Sequence, residues 1–569
     1  METKIRTSGS GDAARLVILL LAAAAILVVA SPPSIGADPA LPVETPAPPV
    51  ETPALPFETP APPVETPAPP VETPAPPVET PTPDPTPAAP ATTPPATSPT
   101  PTPDPTPTPT PASRTTPDDS PDSPPGYPSI RQAYDLDLSV RVATGRVDVV
   151  ETIRIENTGP EPLRIVNLSV LPRALRAYTP TGAVTVDGRP ATASFTNRTN
   201  LQVVLDPELR LGDAAVLRIP FRLTVRETSG AFSARLNRQS GILTLGNWFP
   251  IVSTAHDVYG IGDPQVSFDA ETMRIRVATD RSLPRNAVAA TGTLVAGPRT
   301  TGRRWTFEAH HVRDAAVSIA PAFRLAVRRV GGTEVRVYAV SVDPAPVAKI
   351  AADAFARLQR LYGPYGYRSL AVVEAGAQGF SMEFPTVVLM SRDGIEKRSV
   401  LAHEIAHQWF YGLLGNDQIE EPWVDEAFAV FSSAAIRHKP VSSCASRRID
   451  LPIHAWPAGP LEGTWFGCSG IGPVVAPDGT LSYEFVRPET RCPNPAASCN
   501  AYFETVYLRG AVFLQELRSR MGDVAFFGAV RKLIAAHRHG LVTGQDVLDH
   551  LRAGTGKNLE PVIARFTSR

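Results

Sequence analysis

The sequence predicts an α+β protein in which a β-sandwich domain precedes a domain whose helices carry the chemistry. Three observations predict it. Strand-length apolar alternation recurs between positions 130 and 330. Two helix-patterned segments follow near 399 and 421, and the first holds two histidines four residues apart. A capping-box pattern, Thr543 to Asp546, opens another helix near the end of the chain. The composition fits a folded body. Of 569 residues 43% are apolar, and Lys+Arg 54 against Asp+Glu 56 leaves a formal charge of −2. That near-neutral balance excludes a nucleic-acid protein that works through a basic surface. Proline numbers 64, and 37 of these lie between positions 31 and 130. A short unfoldable tract joined to an ordinary globular body is neither a disordered chain nor a multi-span membrane protein.

Taken in order, residues 1–31 read as a signal peptide or N-terminal anchor. Lys4, Arg6 and Arg15 precede the apolar run Leu16 to Ala30, which suits a signal core and is slightly short for a membrane span. Residues 32–128 read as a Pro/Thr-rich disordered stalk. A unit VETPAPP repeats with its first position at Val43, Val50, Phe57, Val64, Val71 and Val78. Its prolines exclude the coiled coil that a period of seven would otherwise suggest. The expected conformation is polyproline II, a stiff spacer that holds the body away from a membrane or through a wall. Export and an extracytoplasmic location, secreted or anchored at the cell surface, follow as expectations.

The expected β domain covers 129–333. Leu136, Leu138, Val140 and Val142 face one way, and Thr144-Gly145 supplies a turn. Val147, Val149, Ile153 and Ile155 resume the strand pattern, with a bulge expected along it. Asp187-Gly188 marks another turn. His310 and His311 are adjacent on a strand, so their side chains should point to opposite faces and share no metal.

The expected catalytic domain covers 334–569. In Ser399-Val-Leu-Ala-His403-Glu404-Ile-Ala-His407, the histidines at i and i+4 share one helix face and can bind one zinc ion. Glu404 can reach a metal-bound water without ligating the ion. A catalytic zinc needs a third protein ligand. Glu426, eighteen residues past His407 on a helix that Pro422 opens, is the candidate, and Asp425 is its rival. Glu420 and Glu421 are expected at the solvated start of that helix. The four cysteines, Cys444, Cys468, Cys492 and Cys499, lie in or just past a Pro/Gly-rich insertion at 439–498. Two disulfides, Cys444–Cys468 and Cys492–Cys499, are the simplest pairing in an exported chain, and a four-thiolate zinc site the rival.

HEIAHQWF followed by Glu426 within WVDEAFA resembles the gluzincin zinc metallopeptidases of the aminopeptidase N type, HExxH-x18-E. Gly379-Phe-Ser-Met382-Glu383-Phe384 looks like the family's G-x-M-E-N loop, and Tyr507-Leu-Arg-Gly510-Ala like its Y-x-K/R-G-A segment. The resemblance implies a saddle-like β domain before a thermolysin-like catalytic domain with one Zn2+ held by His403, His407 and Glu426. It implies Glu404 as general base, Tyr507 as catalytic tyrosine, with Tyr502 the next candidate, and Glu383 as the residue that binds a substrate's amino terminus. The substrate would be a peptide or protein, with no nucleic acid. Phe384 replaces the family's asparagine, so one hydrogen bond to substrate should be missing. The short stretch after Gly554 predicts an open cleft, without the large helical domain of many relatives. The competing expectation is a surface-displayed adhesion or wall-associated protein with a non-catalytic metal site.

Overall fold

The computed structural model describes residues 127–227, 235–254, 266–377, 381–418, 421–441, 470–471, 485–486 and 504–566. The leader, nearly all of the proline tract, the four cysteines, Glu420 and Tyr502 lie outside the described residues.

The N-terminal half is built on a nine-stranded sheet. At its centre Ile130–Arg141 pairs antiparallel with Arg146–Asn157 and parallel with Thr272–Pro284. Leu136, Leu138 and Val140 are buried on the inner face, as are Leu217, Ile219 and Phe221 of Ala214–Thr224. The outer face carries charge ladders such as Arg274 with Glu308 and Arg276 with Asp135. This is the polar-out, apolar-in alternation of a half-covered sheet. Two four-stranded sheets complete this half, one holding Leu163–Ser169 and Asn200–Leu209, the other Leu236–Gln239 and Ile242–Leu245.

One expectation fails here. The pairing between Ile130–Arg141 and Arg146–Asn157 runs without a register shift from Ile130↔Asn157 to Arg141↔Arg146. There is no bulge. The inward slot between Val149 and Ile153 is filled by Glu151, which is 0% exposed. Neither of its carboxylate oxygens has a hydrogen-bond partner, and burial pushes its pKa well above the usual range. Burial disfavours the charged form of this carboxyl, and the ladder runs through it without a register shift. The two turns are as expected: Gly145 has φ +69°, and Asp187 and Gly188 have φ +49° and +76°.

The C-terminal half begins with a five-stranded sheet in the order Arg324–Val330, Thr333–Ala339, Ser369–Glu374, Val387–Met390, Met382–Phe384. Its parallel step from Thr333–Ala339 to Ser369–Glu374 is crossed by the helix Pro344–Tyr362. Asp343 caps that helix by accepting from the Ala345 backbone N–H at 3.1 Å, and Gly363 ends it at φ +95°. Val347, Ala351, Phe355 and Leu358 form its buried stripe. Helices then pack around one core that joins Phe355, Trp409, Trp423, Phe428 and Phe513. The expected capping box is present: Thr543 Oγ1 accepts from the Asp546 N–H at 3.1 Å, and the Asp546 carboxylate accepts from the Thr543 N–H at 2.8 Å.

Candidate metal centre

The histidines stand on the short helix Arg398–Ala406 and at its C-terminal cap, His407. Leu401, Ala402, Ile405 and Ala406 bury the rest of the helix. The chain turns sharply after His407, whose carbonyl accepts from the Gly412 N–H at 2.8 Å. His407 Nδ1 lies 3.1 Å from the Phe410 carbonyl. A carbonyl only accepts, so Nδ1 carries the proton and Nε2 keeps its lone pair for a ligand.

The facing helix, Trp423–Ile436, starts after Pro422 as the sequence implies. It packs on the histidine helix, and its Phe428 stacks on Phe410 of the turn that follows that helix, 4.2 Å between centroids. Its next neighbour is Gly510–Met521, where Gly510 lies so close that an added Cβ would meet Ala427 Cβ at 2.6 Å. Glu421, expected in solvent, is buried, and its carboxylate accepts from the Gly544 N–H at 2.9 Å. The loop before the helix folds against Gly544–Ala553 and removes that side chain from water.

Three atoms from the two helices converge. His403 Nε2 and His407 Nε2 are 3.2 Å apart, and Glu426 Oε2 lies 3.2 Å and 3.4 Å from them. Oε2 makes no well-angled hydrogen bond to either ring although it is within reach of both. The three atoms thus lie within 3.4 Å of one another, two nitrogens and one oxygen gathered at one point. A tetrahedral ion with ligands at about 2.0–2.1 Å sets its ligand atoms about 3.3 Å apart, so the set fits such an ion. The charge balance agrees. Burial would lower the His407 pKa, but the Glu383 and Glu426 carboxylates outweigh it and raise it well above the ordinary value. Burial would raise Glu426, yet the two histidines hold it well below. The pocket is built to hold positive charge.

Asp425, the rival ligand, is turned away. Its Oδ1 accepts from Asn416 Nδ2 at 3.1 Å and the Glu426 N–H at 2.9 Å, and its Oδ2 from Gln418 Nε2 at 2.8 Å. Burial, then the neighbouring Glu426 charge, pushes its pKa up to about 6. Its role is to hold the first turn of the carboxylate helix.

Glu383, Glu404 and His407 each bring one ligand-type atom to within 4.8 Å of the others. Glu404 is buried beside the three-atom centre, and burial raises its pKa against the opposing pull of the two imidazoles. Glu383 lies on the edge strand Met382–Phe384, opposite Val388. Tyr507 sits in a π-helical turn, Glu504–Arg509, that leads into Gly510–Met521. Its ring stacks on His403 with 6.1 Å between centroids, and its hydroxyl donates to Glu426 Oε1. Phe384 points away from the cleft into the core and touches Gly246 of the β half. His310 and His311 diverge: His310 reaches Glu308 at 3.2 Å, and His311 reaches Asp269 at 2.9 Å.

The sequence reading missed three residues around this centre. Gln408, directly after His407, makes three buried side-chain hydrogen bonds. Tyr411 has a left-handed backbone, φ +108°, and donates from its hydroxyl to Asp314 at 3.2 Å. Arg313 is 2% exposed and donates to the carbonyls of Ser267, His539 and Gly540. Only for Gln408 was there a local signal, an amide within an otherwise apolar stretch.

Residues 386–566 match the Peptidase family M1 domain. Among curated relatives, the chain is 24% identical to "Probable aminopeptidase 2" of Sulfurisphaera tokodaii over 171 residues, covering 30% of this chain and 20% of that protein. It is 26% identical to "Aminopeptidase N" of Lactobacillus delbrueckii subsp. lactis over 168 residues, covering 29% and 18%. The matched segment thus spans about a fifth of these relatives. Among solved structures, an M1 zinc metallopeptidase from Deinococcus radiodurans superposes with a TM-score of 0.54 at 17% identity, over 78% of this chain and 94% of that one. That likeness shows a shared fold. The HExxH helix and the distant glutamate both fall within residues 386–566, the segment that matches the Peptidase family M1 domain, so this segment is similar to an M1 peptidase domain.

Proposed function

We propose that this protein is an exported zinc-dependent peptidase that removes residues from the amino terminus of peptides. The convergence of His403 Nε2, His407 Nε2 and Glu426 Oε2 at 3.2–3.4 Å carries this reading. The three would hold one zinc ion, which supplies Lewis-acid polarisation of the scissile carbonyl and brings the pKa of a bound water to about 7. Glu404 takes the proton of the attacking water and passes it to the leaving amine; burial raises the pKa of its carboxyl, which favours its accepting that proton. The Tyr507 hydroxyl, close to His403 and Glu426, donates to the oxyanion that develops. A donor of this kind is worth ~3–4 kcal/mol in the transition state. Glu383 pairs with the substrate's α-ammonium, within one residue's reach of the scissile bond. The relatives named aminopeptidase support the exopeptidase reading.

Export rests on the basic residues and apolar run before Ala30 and on the proline repeats, both outside the described residues. Among the described residues no helix is long and apolar enough to cross a membrane.

The test is Glu404→Gln. Zinc content measured by metal analysis should stay at one per chain while turnover of aminoacyl-anilides falls below detection. Retained turnover would sink the general-base assignment.

A further inference from the structure

The aminopeptidase reading requires a fixed distance between the amine-binding carboxylate and the metal. Glu383, however, stands on the last strand of its sheet, so the ladder holds it on one side only. What holds the turn that ends this strand is the side chain of Gln408. Its Nε2 donates to the Phe384 carbonyl at 3.0 Å, and its Oε1 accepts from the Thr386 N–H at 2.8 Å. One amide thus grips both arms of the turn that follows Glu383. The backbone partners, a donor-only N–H and an acceptor-only carbonyl, settle the amide's orientation, and the Tyr365 hydroxyl donates to the same Oε1 at 2.7 Å. Gln408 is 1% exposed, so these bonds are made away from competing water.

The turn itself is strained. Thr386 has φ +65°, a left-handed conformation that a β-branched residue rarely adopts. The polar atoms of Thr386 itself are all engaged: beside its N–H, Oγ1 accepts from the Gly292 N–H at 2.7 Å, and its carbonyl accepts from the Ala371 N–H at 2.8 Å. Strain of this sort persists only when surrounding contacts overdetermine it. Here they include the residue next to a metal ligand.

We propose that Gln408 is a positioning residue that couples the metal helix to the Glu383 strand and so fixes where a substrate's amino group sits relative to the metal. This rests on the aminopeptidase reading. Gln408 touches neither substrate nor ion. It acts through the Phe384-Pro385-Thr386 turn, and its contribution is to amine recognition rather than to metal affinity.

The test compares binding of L-leucine with N-acetyl-L-leucine by calorimetry, on zinc-loaded wild type, Gln408→Leu and Tyr365→Phe. Wild type should prefer the free amine. Gln408→Leu should lose about tenfold in affinity for L-leucine, in line with the cost of a small misplacement. Its affinity for N-acetyl-L-leucine and its zinc dissociation constant should stay within about twofold of wild type by the same argument. Tyr365→Phe leaves both Gln408–backbone bonds in place, and should shift the preference in the same direction by less. If Gln408→Leu does not fold, this second variant carries the test. A free-amine preference that survives both changes, or an equal loss for both ligands together with lost zinc, overturns the proposal alone. A wild type with no free-amine preference and no aminopeptidase turnover overturns the functional reading and the proposal with it.

Discussion

Glu426 shows how much one side chain is asked to do. One oxygen faces both imidazoles and the other accepts from the Tyr507 hydroxyl, while Asp425 beside it holds its backbone N–H. Tyr507 is therefore placed by Glu426, the proposed ligand, as well as by its own turn. Replacing it with Phe should lower kcat about 100-fold with KM changed less than about threefold, because the lost donor acts on charge that develops only in the transition state. Steady-state kinetics on an aminoacyl-anilide checks this, and an unchanged kcat would remove Tyr507 from the mechanism. For Glu383→Ala, the free-amine substrate should suffer more than an amino-blocked one. Equal losses measured on the two would refute the ammonium contact.

Among the elements, Trp423–Ile436 and Gly510–Met521 pack closely. Gly510 lets the helices approach where a methyl would meet Ala427 Cβ at 2.6 Å. Ala427 follows Glu426, so Gly510→Ala must push the carboxylate helix away from the histidines. The expected loss is about 1–3 kcal/mol of stability from overpacking, visible as a lower urea midpoint, accompanied by weaker zinc binding in a chelator competition. Retained zinc affinity at reduced stability would mean that the helix yields elsewhere. Thr543→Ala offers a contrast. It removes one cap from Gly544–Ala553 and should cost about 1 kcal/mol without changing zinc affinity.

The whole molecule is held by groups that no local pattern announces. Arg313 links the segment at Ser267 to the loop at His539 and Gly540, against Gly415, where an added Cβ would strike its guanidinium at 2.1 Å. Glu151 acts in the opposite sense. Its folded pKa is raised, so as pH rises from about 4 the unfolded chain releases that proton while the folded chain retains it. Stability falls with pH until the folded carboxyl itself ionises. Asp314, pushed up to about 7 by burial, contributes with the same sign between about pH 4 and 7. Glu151→Leu should therefore raise the urea midpoint at pH 7, by roughly 1–3 kcal/mol in stability, and flatten the pH dependence. A variant less stable than wild type at pH 7 would show that the carboxyl is paired in solution.

Strand alternation over Ile130–Arg141, the i,i+4 histidines, Pro422 before its helix and the Thr543 cap were all legible in the sequence. Each is fixed by bond geometry over a few residues: the two-residue pleat, the 3.6-residue turn, the reach of a capping side chain. Glu426 was the sequence's candidate ligand with Asp425 its rival, because both lie on the same helical turn, and it is Asn416 and Gln418 that turn Asp425 away. The buried Glu151, the buried Glu421 and the grip of Gln408 on the Glu383 turn were decided by tertiary structure. They depend on which segments, distant in sequence, are packed together, and the desolvation and pairing of a side chain are set by those neighbours rather than by its own place in the chain.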